Sequence, residues 1–187
     1  MAVAPDVLKL QQQLDRLQRA TDSELINMSG EVRVLGTDTV HRFGGMFDTL
    51  TREYTDDVPP APDVVWEVSQ EQYRALTFYR EHAKPRMVLV GAMSSGKTAI
   101  AARAAVMVAT EFVNSDMGIV GPTQQKLGPM RKKLADPEVL PKSWVQDVHW
   151  NTLFEPPYIL LKNGVRLQFV GAKAPSKQMG SPIHGFD

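Results

Sequence analysis

Residues 88–105 read VLVGAMSSGKTAIAARAA, and the segment 91–98 within them, GAMSSGKT, decides the fold. Two glycines stand five positions apart, and a lysine and a threonine follow the second glycine. The apolar run 87–90 before this segment predicts a buried strand. The alanine-rich run 99–112 after it predicts a helix. A strand, a loop of this spacing and a helix, in that order, are typical of a loop that wraps phosphate groups.

Each position of the loop has a chemical reason. Gly91 lets the chain leave the strand sharply, and Gly96 lets backbone amides approach a phosphate because it has no Cβ atom. These amides would form an anion nest at the positive end of the following helix. Lys97 would span the β- and γ-phosphates as the catalytic cation, and the Thr98 hydroxyl would bind Mg²⁺. The predicted ligand is ATP with Mg²⁺, and its predicted contacts are Gly91, Ala92, Met93, Ser94, Ser95, Gly96, Lys97 and Thr98.

Composition and charge describe an ordinary globular chain. Of the 187 residues, 43% are hydrophobic and 22% are charged, and none is cysteine. No apolar run reaches 18 residues, so no transmembrane helix and no membrane partner is expected. The formal net charge is +0, but residues 1–85 are acidic overall and residues 86–187, which hold the glycine loop, are basic overall. This asymmetry fits an anionic ligand at the loop, and a solvated surface would explain it equally well.

The first third of the chain is predicted to be helical. Apolar residues recur at helical spacing over 6–20, and residues 21–24 offer caps for a second short helix. Met46, Phe47 and Leu50 indicate one more helical turn after a glycine-rich stretch. The segment 56–63, DDVPPAPD, reads as a linker. The predicted organisation is therefore an N-terminal helical segment over 1–54, a proline-rich linker over 55–63 and an ATPase domain over 64–187.

Alternating strands and helices are predicted over 64–187. Residues 69–81 and 124–134 read as helices, the second interrupted near Gly128 and Pro129, and residues 118–120 read as a buried strand. The segments 158–162 and 165–170 flank Asn163 and Gly164, which together predict a β-hairpin. The predicted class is α/β with a parallel sheet and a hairpin near residues 158–170.

Further residues are candidates for the same site or for nucleic acid. Gln72 precedes the loop by 19 residues on a predicted helix, and a glutamine amide can donate to and accept from an adenine edge at once. An exposed helical glutamine is the alternative, and Gln70 is a rival for the role. Thr123 either contacts a nucleic-acid backbone or caps a turn.

A cluster of basic residues is predicted either to track DNA phosphates or to form a solvated helix face: Lys126, Arg131, Lys132 and Lys133. Lys173 and Lys177 lie in a glycine-flanked loop that would approach the γ-phosphate or DNA, or would be merely mobile. The four histidines, His41, His82, His149 and His184, show no metal-ligand spacing.

Three stretches together carry a resemblance: LVGAMSSGKT, IVGPTQQKL and LLKNGVRLQFVGAKAPSKQMGSPIHGFD. Residues 64–187 resemble the N-terminal ATPase part of the large terminase subunit of tailed bacteriophages, a family that drives DNA into empty capsids. The resemblance implies an additional-strand, RecA-like P-loop NTPase fold that uses ATP and Mg²⁺. It also implies double-stranded DNA, a portal protein and a small terminase subunit as partners. The implied assembly is a homo-oligomeric ring at the procapsid portal vertex in the host cytoplasm, with a nuclease domain downstream.

The chain departs from that family pattern in two places. No arginine lies between Gly91 and Lys97, where large terminases carry one, and Arg86 stands before the strand instead. No apolar strand ending in Asp-Glu follows Val170, so the carboxylates that would hold Mg²⁺ and polarise water are not found. A truncated chain, a partly ordered longer protein and a split gene would each explain this. The chain alone is therefore expected to bind ATP and to hydrolyse it poorly.

Two other functions remain open from the sequence. A helicase-type DNA translocase shares the glutamine, the loop and the threonine. A partner-docking module without catalysis would use the predicted helices of residues 1–54 and would bind nucleotide without turnover, or not at all.

Overall fold

The computed structural model describes residues 24–59, 61–81, 96–150 and 156–172. Over these ranges the chain is a mixed α/β protein with three α-helices and three β-sheets. The helices are α1 (Gln70–Glu81), α2 (Lys97–Ala109) and α3 (Gly128–Leu134), and two 3-10 turns span Gln125–Leu127 and Lys142–Trp144. The strands are β1 (Leu25–Asn27), β2 (Gly30–Val34), β3 (Val40–Phe43), β4 (Met46–Asp48), β5 (Glu53–Tyr54), β6 (Val64–Val68), β7 (Asp116–Gly121), β8 (Val145–His149), β9 (Tyr158–Leu161) and β10 (Arg166–Gly171). None of the helices in these ranges has the length and apolar character needed to span a bilayer.

The helices over residues 69–134 confirm the sequence prediction, with small shifts at their ends. The interruption predicted near Gly128 is real: a 3-10 turn gives way there to α3. Pro129 lies in the first turn of α3, where the missing N–H of proline would have had no helical partner. The helix predicted over 124–134 is therefore present, and its α-helical part begins at the predicted interruption.

A four-stranded sheet in the order β7-β10-β9-β8 carries the carboxyl-terminal part of the described chain. Strands β7 and β10 are parallel, and the other two pairings are antiparallel. The predicted hairpin is confirmed, because β9 and β10 are joined through Gly164 with φ of 80°. The sheet is mixed, so the prediction of a parallel sheet is right here for β7 and β10 alone.

Residues 24–54 form strands, so the helical segment predicted over 1–54 is wrong in this range. Strands β1, β4 and β5 make one antiparallel sheet, and β3, β2 and β6 make another. Phe47 is buried on β4, whereas Leu50 lies in the following turn and is 44% exposed. The two side chains therefore share no helical face. Gly30 stands opposite Phe43 across the strand pair, and the ring fills the place that a Cβ atom would take.

Strand β6 joins the two sides of the segment predicted to be a linker. It pairs in parallel with β2, from Val64 opposite Gly30 to Val68 opposite Val34. Its burial alternates, with Trp66 in the core and Glu67 in solvent. Strands on both sides of the predicted linker 55–63 therefore belong to one sheet, so this segment does not separate two independent sheets.

Two buried tryptophans fasten the segment 137–144 to the β3-β2-β6 sheet. The indole N–H of Trp66 donates to the carbonyl of Glu138 at 3.0 Å. The indole N–H of Trp144 donates to Oδ2 of Asp63 at 2.7 Å. Phe43 stacks on Trp66 with ring centroids 4.7 Å apart and meets Trp144 edge-on. The core is thus continuous from this sheet to the four-stranded one.

Asn163 pins the tip of the β9–β10 hairpin beneath the end of α2. Its side chain is fully buried. Its Nδ2 lies 2.8 Å from the carbonyl of Ala109, 3.0 Å from that of Phe112 and 3.0 Å from the hydroxyl of Tyr54. Its Oδ1 accepts the N–H of Val165. One side chain therefore ties a sheet, a helix and the β5 strand together.

We expect the buried Tyr54 to make the free energy of unfolding fall at alkaline pH. Burial raises the pKa of Tyr54 from 10.0 to about 12. The folded state favours the neutral phenol over the phenolate. The contribution of Tyr54 to the free energy of unfolding is therefore fully present below about pH 10 and is lost as the pH rises towards about 12. Urea unfolding of the wild type and Tyr54→Phe across this window should show a shallower alkaline decline for the variant. Equally steep declines would contradict the assignment.

Several predicted features lie outside the described residues. They are the helix over 6–20, the strand over 87–90, the loop of Lys173 and Lys177, and the histidines at positions 82 and 184.

Candidate functional site

The last part of the glycine loop lies at the amino end of α2. The loop residues outside the described part are Gly91, Ala92, Met93, Ser94 and Ser95. Gly96 immediately precedes the helix with φ of 82° and ψ of 6°, and its carbonyl accepts the N–H of Ile100 at 3.0 Å. This left-handed conformation is strained for residues with a Cβ atom, so the chain needs glycine here. The first two helical residues, Lys97 and Thr98, follow directly.

The amino end of α2 carries no acidic residue in its first turn, and the residue before it, Gly96, has no side chain that could cap the helix. The first N–H groups of a helix lack intrahelical acceptors, and the helix dipole makes this end positive. The helix is held firmly, because its inner face is buried through Ile100, Ala102, Val106, Met107 and Ala109. A rigid, positive helix end beside a left-handed glycine suits a phosphate group.

Gln72 forms a reciprocal capping box with Ser69 at the start of α1. The N–H of Gln72 donates to Oγ of Ser69 at 3.3 Å, and the N–H of Ser69 donates to Oε1 of Gln72 at 3.1 Å. The N–H of Tyr73 donates to the carbonyl of Ser69 as the first helical bond. The pattern Ser-x-x-Gln therefore fixes both where α1 begins and where the Gln72 carboxamide lies.

The structure places the Gln72 side chain beside Gly96, the loop glycine that lies within the described residues. A Cβ atom placed on Gly96 would lie 3.4 Å from Nε2 of Gln72. Gln70, the rival candidate, is exposed at the first position of α1. Gln72 and Gly96 are 24 positions apart in the sequence, so only the packing of α1 on α2 could show that they are neighbours.

Thr98 opens onto a cleft of about 640 Å³ that also contains two of the lysines predicted to bind DNA. The cleft is lined by Thr98, Pro129, Lys132, Lys133, Ala135, Asp136 and Pro137. Lys133 lies 3.8 Å from Asp136 in an exposed ion pair. Lys132 is exposed, and no ion pair is recorded for it within the described ranges. The two lysines therefore stand beside the loop threonine, a proximity that their place in the sequence did not reveal.

Arg131 lies between aromatic side chains, unlike the other predicted DNA contacts. Its guanidinium lies over Phe169 at 5.5 Å and over Trp150 at 5.8 Å. One of its N–H groups donates to Oε1 of Gln124, whose Nε2 donates to the carbonyl of Phe169 at 2.7 Å. Burial lowers the pKa of Arg131. Arg131 therefore fastens α3 to β10, a role of Arg131 and Gln124 that the sequence did not indicate.

Thr123 and Lys126 lie just beyond the end of β7. The hydroxyl of Thr123 accepts the N–H of Lys126 at 3.3 Å, which is the capping arrangement named as one alternative for this threonine. The Lys126 side chain is exposed. Both residues remain at the surface, where a nucleic-acid backbone could reach them.

The segments after β7 and β10 run side by side. The N–H of Ala172 donates to the carbonyl of Gly121 at 2.7 Å. A Cβ atom on Gly171 would lie 2.9 Å from the backbone nitrogen of Gln124, so only glycine allows this approach. The carboxyl ends of parallel strands share one sheet edge, where ligands of α/β proteins commonly bind.

Metal ligands do not cluster in the described residues: no group of three or more His, Cys, Asp or Glu side chains could hold a metal ion. His149 stacks on Tyr158, and His41 meets Tyr73 edge-on. These two histidines therefore have packing partners.

The described residues unite a left-handed glycine, a positive helix end, a capped glutamine and a lysine-bearing cleft. Each lies at the amino end of α2 or borders it. Comparison with protein-family models, curated proteins and solved structures found no match for this chain, so a functional conclusion rests on its own residues.

Proposed function

We propose that this chain is the ATP-binding part of a motor that drives double-stranded DNA into a viral procapsid, as the large terminase subunit of tailed bacteriophages does. The observation that carries the proposal is the left-handed Gly96 at the amino end of α2, followed at once by Lys97 and Thr98. The proposed fold is a RecA-like, additional-strand P-loop NTPase. The passage from α2 into β7, and the parallel pairing of β7 with β10, support it.

The loop residues have distinct roles in the proposal. The N–H groups of the loop and of the first turn of α2 would hold the phosphates, and Lys97 would contact the β- and γ-phosphates. Thr98 would bind Mg²⁺ through its hydroxyl. Mg²⁺, when bound, would neutralise part of the negative charge of the triphosphate. The absence of an acidic side chain in the first turn of α2 fits this use, because a carboxylate there would repel the phosphates.

The proposed DNA contacts lie in two places: Thr123 and Lys126 follow the end of β7, and Lys132 and Lys133 line the cleft beside Thr98. Lys126, Lys132 and Lys133 are exposed cations, and Thr123 precedes them. Loose contacts of lysine with phosphates suit translocation, because they carry no sequence information. A homo-oligomeric ring, a portal protein and a small terminase subunit are the proposed partners, at the portal vertex in the host cytoplasm.

The chain is proposed to bind ATP and to hydrolyse it poorly. Strand β7 ends at Gly121 and β10 ends at Gly171, so neither strand ends in a carboxylate. Phosphoryl transfer to water needs a group that orients the attacking water. Among the described strands, the ends of β7 and β10 therefore offer no such group, which supports the expectation of slow hydrolysis.

A nucleotide titration tests the proposal directly. ATP with Mg²⁺ at 100 times its Kd should stabilise the folded chain by about 2.7 kcal/mol. That gain should raise Tm by roughly 5–10 °C for a chain of this size. Removal of Mg²⁺ with a chelator should reduce the shift. An unchanged Tm at millimolar ATP and Mg²⁺ would contradict the proposal and would favour the partner-docking module.

A further inference from the structure

A polar cleft of about 360 Å³ is lined by residues from the turn between β4 and β5 and from the amino ends of β7 and β10. Asp116 and Arg166 are the first residues of these two parallel strands and stand opposite each other. Gly121 and Gly171 end the same strands, roughly 17 Å further along. The cleft therefore lies at the edge of the sheet opposite to the one that Thr123 follows.

Two arginines from different elements line this cleft, Arg52 and Arg166. The exposed guanidinium of Arg52 lies beside the hairpin tip at Gly164 and has no ion-pair partner among the described residues. The guanidinium of Arg166 lies over the Tyr158 ring, 4.8 Å from its centroid. Its Nε is 3.9 Å from Oδ1 of Asp116, which is too far for a hydrogen bond. Within the described ranges, both guanidiniums therefore keep N–H donors that a ligand could use.

The backbone beside the cleft is strained in two places. Arg52 has φ of 57° and Asn114 has φ of 50°, and they are the two non-glycine residues with positive φ in the described part of the chain. Both of them line the cleft. The N–H of Arg52 donates to the carbonyl of Asp48 at 2.9 Å. The N–H of Asn114 donates to the carbonyl of Asn163 at 3.1 Å. Strain of this kind is concentrated at functional sites, so it supports a functional role for the cleft.

The remaining lining residues favour an anion with several oxygens. Ser115 lines the cleft, and its Oγ is buried without a hydrogen-bond partner among the described residues. Buried hydroxyls normally have such a partner. Gln146 of β8 adds an amide. The charged groups are two guanidiniums and the carboxylate of Asp116, so one positive charge is left over. A phosphate ester would neutralise that charge, and guanidinium groups match its oxygens in pairs.

We infer that this cleft binds a phosphate group, which Arg52 and Arg166 hold between them. The phosphate belongs either to a nucleic-acid backbone or to a small phosphate, because the same donors serve both. The inference is independent of the proposed nucleotide site, since the cleft shares no residue with the amino end of α2.

NMR titrations of the isotope-labelled chain test this site, with inorganic phosphate, acetate and a short DNA duplex as probes at matched ionic strength. Arg52→Gln and Arg166→Gln each remove one guanidinium. Arg74→Gln is the control, because it removes the same charge from an exposed position on α1. Arg52→Gly removes the guanidinium and adopts the same φ without strain, so thermal unfolding separates the loss of a ligand contact from the loss of structure.

Inorganic phosphate should shift the backbone amide signals of Asn114, Ser115 and Gly164 in the wild type and in the control. Arg52→Gln and Arg166→Gln should each bind phosphate about tenfold more weakly or worse, as expected for the loss of a hydrogen bond to a charged group. Arg52→Gly should weaken phosphate to the same degree without lowering Tm. Acetate should bind the wild type more weakly than phosphate does.

The duplex identifies the source of the phosphate. If the duplex shifts the same amides, and Arg52→Gln reduces the slope of log affinity against log salt by about 0.9, the group belongs to a nucleic-acid backbone. If inorganic phosphate alone shifts them, the ligand is a small phosphate. Phosphate held at the amino end of α2 would instead shift the amides of Gly96 and Lys97, which belong to the proposed nucleotide site.

Three results would overturn the inference. Unchanged amide signals around the cleft at millimolar phosphate would show that it takes no such ligand. Acetate binding as tight as that of phosphate would make the cleft a carboxylate site, as an acidic protein segment would use. Equal phosphate affinity in the wild type and Arg52→Gly would show that the Arg52 guanidinium takes no part. None of these results would affect the proposed nucleotide site.

Discussion

Replacement of Lys97 with alanine is expected to weaken the binding of ATP with Mg²⁺ by roughly 100-fold or more, or about 2.7 kcal/mol. Lys97 is the first residue of α2, directly after the left-handed Gly96. A charge-assisted contact to phosphate oxygens is roughly twice as strong as a neutral hydrogen bond, and the variant would lose the contact that we propose for Lys97. Calorimetric titration of wild type and variant measures the difference.

A matched control for Lys97→Ala is Lys142→Ala. Lys142 is exposed in the 3-10 turn Lys142–Trp144, away from the amino end of α2 in sequence, and has no assigned role. Its replacement removes the same charge from the chain and should leave ATP affinity within about twofold, since removal of a distant surface charge has little effect. Equal affinities for wild type and Lys97→Ala would contradict the phosphate-binding interpretation of the loop.

Replacement of Trp144 with alanine is expected to cost about 3–5 kcal/mol of unfolding free energy, as large-to-small changes in protein cores do. The side chain is fully buried, meets Phe43 edge-on and donates its indole N–H to Asp63. The variant would lose the ring and the indole donor to Asp63. The hydroxyl of Ser143 would still donate to the Asp63 carboxylate. That cost is a large share of the stability of a typical domain.

Trp144→Phe separates packing from hydrogen bonding. Phenylalanine keeps an aromatic ring and loses the N–H donor, so the cost should fall to roughly 1–3 kcal/mol. Urea unfolding followed by far-UV circular dichroism measures both variants. Unfolding free energies equal to that of the wild type would show that the segment 137–144 is not fastened to the sheet through this residue.

The sequence predicted elements whose signals are local. Asn163 and Gly164 predicted the hairpin because a positive φ at the turn is a property of those residues themselves. The uninterrupted alanine-rich run predicted α2, and Pro129 predicted the break before α3. Each of these signals can be read without knowing what packs against the element.

The strands of residues 24–54 could not be predicted in the same way. Gly30 and Gly44 belong to the glycine-rich stretch before Met46, which shows no strand pattern in the sequence. In the structure Gly30 accommodates the Phe43 ring across a strand pair, and Gly44 adopts φ of 67°. Strands β1, β4 and β5 have two or three residues each, too few to show alternation. Strand β6 does alternate, but the proline-rich segment beside it favoured a linker. Burial by distant strands decides such cases.

The sequence predicted which residues form the glycine-loop motif. It did not predict which other side chains surround them. Gly96, Lys97 and Thr98 stand where the motif requires them, at the start of a helix. The position of Lys132 and Lys133 beside Thr98 depends on how α3 packs on α2, and no local pattern encodes that contact. The inward position of Arg131 likewise follows from the aromatic rings that it meets.

The two tryptophan hydrogen bonds have a consequence for how the chain acquires its fold. The Trp66–Glu138 bond joins residues separated by 72 positions in the sequence, and the Trp144–Asp63 bond joins residues separated by 81. The bond between Asn163 and Tyr54 spans 109 positions. Chains dominated by such distant contacts fold in milliseconds to seconds, because long loops must close before any contact forms. A nascent chain released before residue 144 would therefore expose the Trp66 and Phe43 rings, and the two halves expressed separately should aggregate unless they are mixed while unfolded.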